Sequence, residues 1–94
     1  MSLYKLNFTK KAYKEWDKLN HNIKVQFQKK LKQILQNPKI PNAKLNGYDN
    51  IYKIKLKQLG YRLAYEVDDD KIIIVVIKIG KRDKFYTLLK DLIP

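Results

Sequence analysis

The spacing of apolar residues changes period along the chain, and each change marks an element. Residues 3–8, LYKLNF, alternate loosely and predict a short strand. Thr9 is placed to cap a helix running to about Leu19, with Ala12, Trp16 and Leu19 at helical spacing. Asn20-His21-Asn22 reads as a turn, with Asn22 as the cap of a second helix that extends to about Gln36. Ile23, Phe27, Leu31, Ile34 and Leu35 form its apolar stripe, and lysines fill the opposite face. Asn37-Pro38 ends it, because proline disfavours the helical conformation in the residue before it. Two helices with a short connection and one apolar face each make a hairpin that needs a sheet to pack on.

From Pro38 to Gly47 the chain reads as irregular, with Asn46-Gly47 as a turn signal. The period then becomes that of a strand. Tyr52, Ile54 and Leu56 alternate with Lys53, Lys55 and Lys57. Gln58 to Gly60 turns the chain into a second strand, Tyr61 to Val67, with Leu63, Tyr65 and Val67 on one face and Arg62, Ala64 and Glu66 on the other. Asp68-Asp69-Asp70 is a hairpin loop. Ile72 to Ile79 is apolar and β-branched, the pattern of a central strand buried on both faces. Gly80 is expected to break it, and Asp83 to cap a final helix with Phe85, Leu88, Leu89 and Leu92 inward. The expected fold is a small α+β domain spanning residues 1–94, ordered β-α-α-β-β-β-α. Its sheet is mainly antiparallel, with the N-terminal helical hairpin packed on one face.

Composition narrows what such a domain could do. Hydrophobic residues make up 45% of the 94, enough for a packed core. There is no cysteine, which excludes disulfides, thiolate metal ligands and a cysteine nucleophile. The N-terminal stretch lacks the apolar segment of a signal peptide, and the longest apolar run, Ile72 to Ile77, is too short for a membrane span. A cytoplasmic protein without membrane contact is the expectation. Charge changes the picture most. Lys and Arg total 21 against 9 acids, for a net charge of +12. Eleven Lys against Glu15 and Asp17 give residues 1–47 a balance of +9, while ten basic groups against seven acids give residues 48–94 only +3. That excess predicts a polyanionic partner. The plain alternative is a solubilising lysine-rich surface.

The strand pattern gathers part of this charge. Lys53 and Lys55 lie two apart and project to one side of their strand. Arg62 lies across the tight turn and can share that side. Arg82 follows Gly80 at the end of the central strand, and Tyr86, four residues on, shares a helical face with it. Only two of the 21 basic residues are arginines, and both fall in this set. Arginine grips phosphate bidentately and permanently, which lysine cannot reproduce.

RNA can be cut by its own 2′-hydroxyl attacking the adjacent phosphate, which requires a proton acceptor and stabilisation of the phosphorane. The single histidine, His21, sits in the interhelical turn without an acidic neighbour and reads as a solvated surface residue. A lysine crowded among cations gives up its proton more readily, which leaves Lys53 or Lys55 as the base. Arg62 and Arg82 would hold the phosphate, and Tyr86 would stack on a base. The consecutive aspartates 68–70 point in different directions and read as a solvated turn, so neither metal nor other cofactor is expected.

Several stretches carry a family resemblance: LNFTKKAYKEWDKL, LKQILQNPKI with KLNGY after it, YKIKLKQLGYRLAYEV, and IIIVVIKIGKRDKFY. The last two are the specific part. Along nearly its full length the chain resembles the RelE toxins of bacterial toxin–antitoxin pairs, within the RelE/ParE superfamily. The resemblance implies a ribosome-dependent endoribonuclease that cuts messenger RNA in the A site and leaves a 2′,3′-cyclic phosphate. It implies functional roles for Lys53, Lys55, Arg62 and Arg82: Lys55 as base, Arg62 as phosphate stabiliser, Arg82 as acid or charge stabiliser. Tyr86 fits relatives with an R-x-x-x-Y spacing, whereas in the founding enterobacterial toxin the functional tyrosine lies further along. The implied partners are a RelB-like antitoxin, the ribosome through its A-site RNA, the messenger RNA, and operator DNA when the antitoxin is bound. Two other functions fit parts of the sequence. One is a ParE-like inhibitor of gyrase, which has no need of the four cations together. The other is a basic nucleic-acid-binding module without catalysis.

Overall fold

The computed structural model describes residues 3–90. Strand β1 (Lys5–Phe8) leads into helices α1 (Lys10–Asp17) and α2 (His21–Ile34). A 3-10 turn at Pro41–Ala43 precedes β2 (Ile51–Leu56), β3 (Tyr61–Asp68), β4 (Ile73–Lys81) and α3 (Arg82–Lys90). The expected element order is therefore the observed one. The four strands form one sheet in the order β1-β4-β3-β2, with β1 parallel to β4 and the other pairs antiparallel.

Local chemistry sets the helix starts. Thr9 Oγ1 accepts the Ala12 N–H at 3.1 Å and caps α1. At α2 the expected cap, Asn22, is wrong. Asn20 is extended and its Oδ1 accepts the Ile23 N–H at 3.0 Å, so the helix begins at His21 and takes in Asn22. Either asparagine satisfies the capping preference, and the earlier one satisfies the orphan donors while leaving Ile23 and Phe27 on the core face.

The hairpin of α1 and α2 covers one face of the sheet. Ala12, Phe27 and Leu31 meet Leu63, Tyr65, Ile74 and Val76 there, all fully or nearly fully buried. Burying each large apolar side chain contributes roughly 1.5–3 kcal/mol. Tyr65 stacks on Tyr52 and donates its hydroxyl to the Pro38 carbonyl at 2.9 Å, and burial pushes its ionisation well above the usual phenol range. A register shift at Ala64/Tyr65 leaves Ile77 without a partner on β3 and resets the alternation. Val76 and Ile79 consequently both reach the helical hairpin although they lie three apart.

β1 covers β4 only from Ile73 to Val76. Beyond it, Glu15 of α1 takes over the open edge: it accepts the Ile79 N–H at 3.1 Å and pairs with Lys78. The opposite face carries a smaller cluster, where α3 sets Phe85 and Leu89 on Ile51 and Ala64.

Four expectations fail in this half. β4 is central, but its second face is only half-buried at Ile73, Val75 and Ile77, where the nine described residues of α3 cover only ~13 Å of the sheet. Gly80 does not end the strand, which continues to Lys81 while Gly80 pairs with Arg62. The inward stripe of α3 is narrower than expected. Phe85 and Leu89 are buried, Leu88 is 44% exposed, and Asp83 sits inside the first turn rather than capping it. Leu92 lies outside the described residues.

Candidate active site

The site is built on the sheet face beneath α3. Gly60, at φ +70°, closes the β2–β3 turn, and its N–H reaches the Leu56 carbonyl at 2.9 Å. A left-handed position this tight suits glycine because no Cβ meets the neighbouring carbonyl. The turn fixes the register: Lys55 lies directly opposite Arg62, and Lys53 opposite Ala64. Alternation then puts Lys53, Lys55 and Arg62 on the face that carries Ile51 and Ala64, away from the helical hairpin.

Of the cations in this set, Arg62 is held by a hydrogen bond. Its Nη1 donates to the Tyr61 carbonyl at 3.1 Å, while its Nε is buried with no protein acceptor. On its other side lies Gly80, whose missing side chain leaves the space over β4 open. An unmet buried donor is costly in water's absence. Being buried, Nε is out of reach of a phosphate, and the half-buried guanidinium has only its remaining N–H groups to offer an oxyanion. Arg62 forms no ion pair with Glu66, the plain structural role a surface arginine could have had.

Arg82 opens α3, and its backbone N–H bonds the Gly60 carbonyl at 2.9 Å, tying the helix start to the β2–β3 turn. Its side chain is exposed. One turn on, Tyr86 lies edge-on to Phe85 with centroids 5.2 Å apart, and the Lys53 ammonium sits 5.6 Å from its ring centroid. That contact is in cation–π range. The structure therefore joins Lys55 with Arg62, and Lys53 with Tyr86. Arg82 is connected to both pairs through the backbone of the turn and the helix.

Two residues of this neighbourhood were not singled out from the sequence. Asn46 and Tyr48 line a cavity of about 270 Å³ together with Lys53 and Tyr86. Asn46-Gly47 signalled only a turn, and nothing in residue spacing places that turn against α3. The remaining candidates lie elsewhere. His21 is the exposed first residue of α2. Asp68 accepts the Lys71 N–H within its own turn. Asp69 accepts the Tyr4 hydroxyl at 2.8 Å and pairs with Lys39. These two hydrogen bonds hold the Asp69 carboxyl below the usual carboxylate range, Lys39 contributing more than Tyr4. No group of three or more His, Cys, Asp or Glu able to hold a metal occurs among the described residues.

A cationic sheet face under a short C-terminal helix, with a helical hairpin on the reverse face, matches known proteins. The family model for the ParE toxin of type II toxin–antitoxin systems, parDE, covers residues 6–86, which makes the class a small toxin of such a system. The mRNA interferase toxin RelE of Escherichia coli (strain K12) is 46% identical over 81 residues, spanning 86% of this chain and 85% of that protein. The crystal structure of the isolated E. coli RelE toxin superposes with a TM-score of 0.84 at 40% identity, covering 95% of each chain. The toxin in the intact E. coli RelBE toxin–antitoxin complex does so at 0.81 and 46% identity, covering 83% of this chain and 95% of that one. The chain belongs to the RelE family of type II toxins.

Proposed function

We propose that this toxin is an mRNA interferase that cuts messenger RNA in the ribosomal A site. The observation that carries the reading is the pairing of Lys55 with Arg62 across β2 and β3, on the sheet face from which Lys53 meets Tyr86. Relatives named for the same activity support it. In the reaction, Lys55 accepts the proton of the ribose 2′-hydroxyl. The 2′-oxygen attacks phosphorus, the bond from phosphorus to the 5′-oxygen breaks, and the strand ends in a 2′,3′-cyclic phosphate. Arg62 holds the non-bridging oxygens through the guanidinium N–H groups that substrate can reach, where charge grows most in the phosphorane. Arg82 stabilises the charge on the departing 5′-oxygen, which takes a proton from water and leaves as a hydroxyl. Lys53 positions the backbone, and Tyr86 offers a stacking surface. The set has no histidine or carboxylate to take the proton, so the ribosome has to orient the RNA.

The partners follow from the same chemistry. The lysine-rich helices face ribosomal RNA, so the protein works in the cytoplasm. A RelB-like antitoxin restrains it, as RelB accompanies RelE in the E. coli complex, and the pair binds operator DNA. Among the described residues no helix is long and apolar enough to cross a membrane. Only the ParE description of the matching family model favours a gyrase inhibitor. Primer extension on ribosomes programmed with an empty A site separates the two. A ribosome-dependent, EDTA-insensitive stop inside the A-site codon supports the interferase. Inhibited gyrase supercoiling without a stop supports the other.

A further inference from the structure

The cavity of about 270 Å³ beside Lys53 is not needed for phosphate chemistry. It lies between β2, the turn before it and the last turn of α3, and is lined by Leu45, Asn46, Tyr48, Lys53, Tyr86 and Leu89, with Lys90 at its rim. Among the described residues no acidic side chain lines it. It is smaller than the roughly 300–1,000 Å³ of pockets for drug-sized ligands. Its walls are two phenol rings and two leucines, with one carboxamide as the neutral polar group.

The turn that carries Asn46 and Tyr48 is held in place. Leu45 is buried and its N–H bonds the Ile51 carbonyl at 2.8 Å. Gly47, at φ +86°, reverses the chain, and the Tyr48 N–H closes the turn on the Leu45 carbonyl at 3.3 Å. Tyr48 is half-buried against the cluster that contains Phe85 and Leu89, whereas Asn46 is exposed. A fixed aromatic wall beside a free carboxamide suits an unstacked nucleobase. The ring face stacks, and the amide offers a donor and an acceptor to the base edge.

We infer that this cavity receives one of the two bases flanking the scissile phosphate, with Tyr48 stacking on it and Asn46 reading its edge, so that these residues set codon preference. The inference rests on the interferase reading, because the cavity shares Lys53 and Tyr86 with the proposed catalytic face. Asn46 and Tyr48 are specificity residues and take no part in proton transfer.

The test uses ribosomes programmed with A-site codons varied at each position, and the variants Asn46→Ala and Tyr48→Leu, the latter keeping an apolar side chain at a half-buried site. Both are expected to retain cleavage while discrimination at one codon position falls about tenfold, within the range of one amide–base contact. In parallel, the same messages carry 2-aminopurine in the codon and a 2′-O-methyl block against cutting. Wild type is expected to quench its fluorescence at one position, and Tyr48→Leu to lose the quenching. If wild type cuts but neither codon ranking nor quenching responds to the variants, the inference falls and the interferase reading stands. If quenching depends on Tyr48 but nothing is cut, the base site stands and the interferase reading falls.

Discussion

Lys55 and Arg62 are direct cross-strand partners in the β2–β3 hairpin, two like charges set opposite each other on one sheet face. Such a pair destabilises a sheet, and the buried Arg62 Nε adds an unmet donor. The arrangement makes sense if an oxyanion supplies the missing charge. Removing it should therefore move stability and activity in opposite directions. Arg62→Met keeps the aliphatic stem. We expect its thermal stability to match or exceed wild type by roughly 0.5 kcal/mol. Its cleavage rate on programmed ribosomes should fall about 10²–10³-fold, as for loss of one transition-state donor. A variant that unfolds, or one that cuts normally, would break this link.

Glu15 holds the open edge of β4 through the Ile79 N–H and Lys78. Glu15→Ala leaves that N–H unmet and Lys78, whose side chain is only 13% exposed, without its partner. We expect a loss of about 2 kcal/mol in urea unfolding. The double variant Glu15→Gln with Lys78→Met should lose much less, because the amide oxygen can still accept from Ile79 and no buried ammonium remains. Equal losses in both would place the stabilisation elsewhere.

The strand halves of the molecule were legible because their signal is local. Tyr52, Ile54 and Leu56 alternate with lysines, and Leu63, Tyr65 and Val67 alternate with Arg62, Ala64 and Glu66. A two-residue period leaves little choice of face. The same alternation placed Lys53, Lys55 and Arg62 on one side. The start of α2 was not legible, since Asn20 and Asn22 both satisfy a cap and only packing chooses. Gly80 misled for a related reason: pairing with Arg62 outweighs the weak preference of glycine to leave a strand. The role of Glu15 and the approach of Asn46 and Tyr48 to α3 are tertiary, and no periodicity encodes them.

Asp69, in the β3–β4 turn, ties Tyr4, just before β1, to Lys39 in the segment after α2. Its folded carboxyl is held down, chiefly by the Lys39 hydrogen bond and then by that of Tyr4. A depressed carboxyl contributes stability above its unfolded range and loses it as pH falls through the folded value. The melting temperature of wild type should therefore exceed that of Asp69→Asn at neutral pH, with the gap closing as pH drops below the usual carboxylate range. A gap that widens in acid would reverse the sign of this contribution.

Ile72 adopts φ +56° at the end of the β3–β4 turn, a left-handed conformation that β-branched residues resist. Its carbonyl accepts the Lys5 N–H at 3.0 Å, which holds the strained position in the sheet. Asparagine tolerates this region, and the side chain is 40% exposed, so little apolar burial is lost on replacement. Ile72→Asn should raise stability by about 0.5–1 kcal/mol in denaturant unfolding. A decrease would mean that the side chain packs more tightly than its exposure implies.

If the RNA's own 2′-hydroxyl cuts the strand on the lysine–arginine face, that hydroxyl is indispensable. The direct measurement is primer extension on programmed ribosomes with two messages, identical except for a 2′-deoxy sugar on the 5′ side of the scissile phosphate. A stop inside the A-site codon is expected on the all-ribose message, with the upstream fragment ending in a 2′,3′-cyclic phosphate, and none on the substituted one. A stop of equal strength on both messages would contradict it.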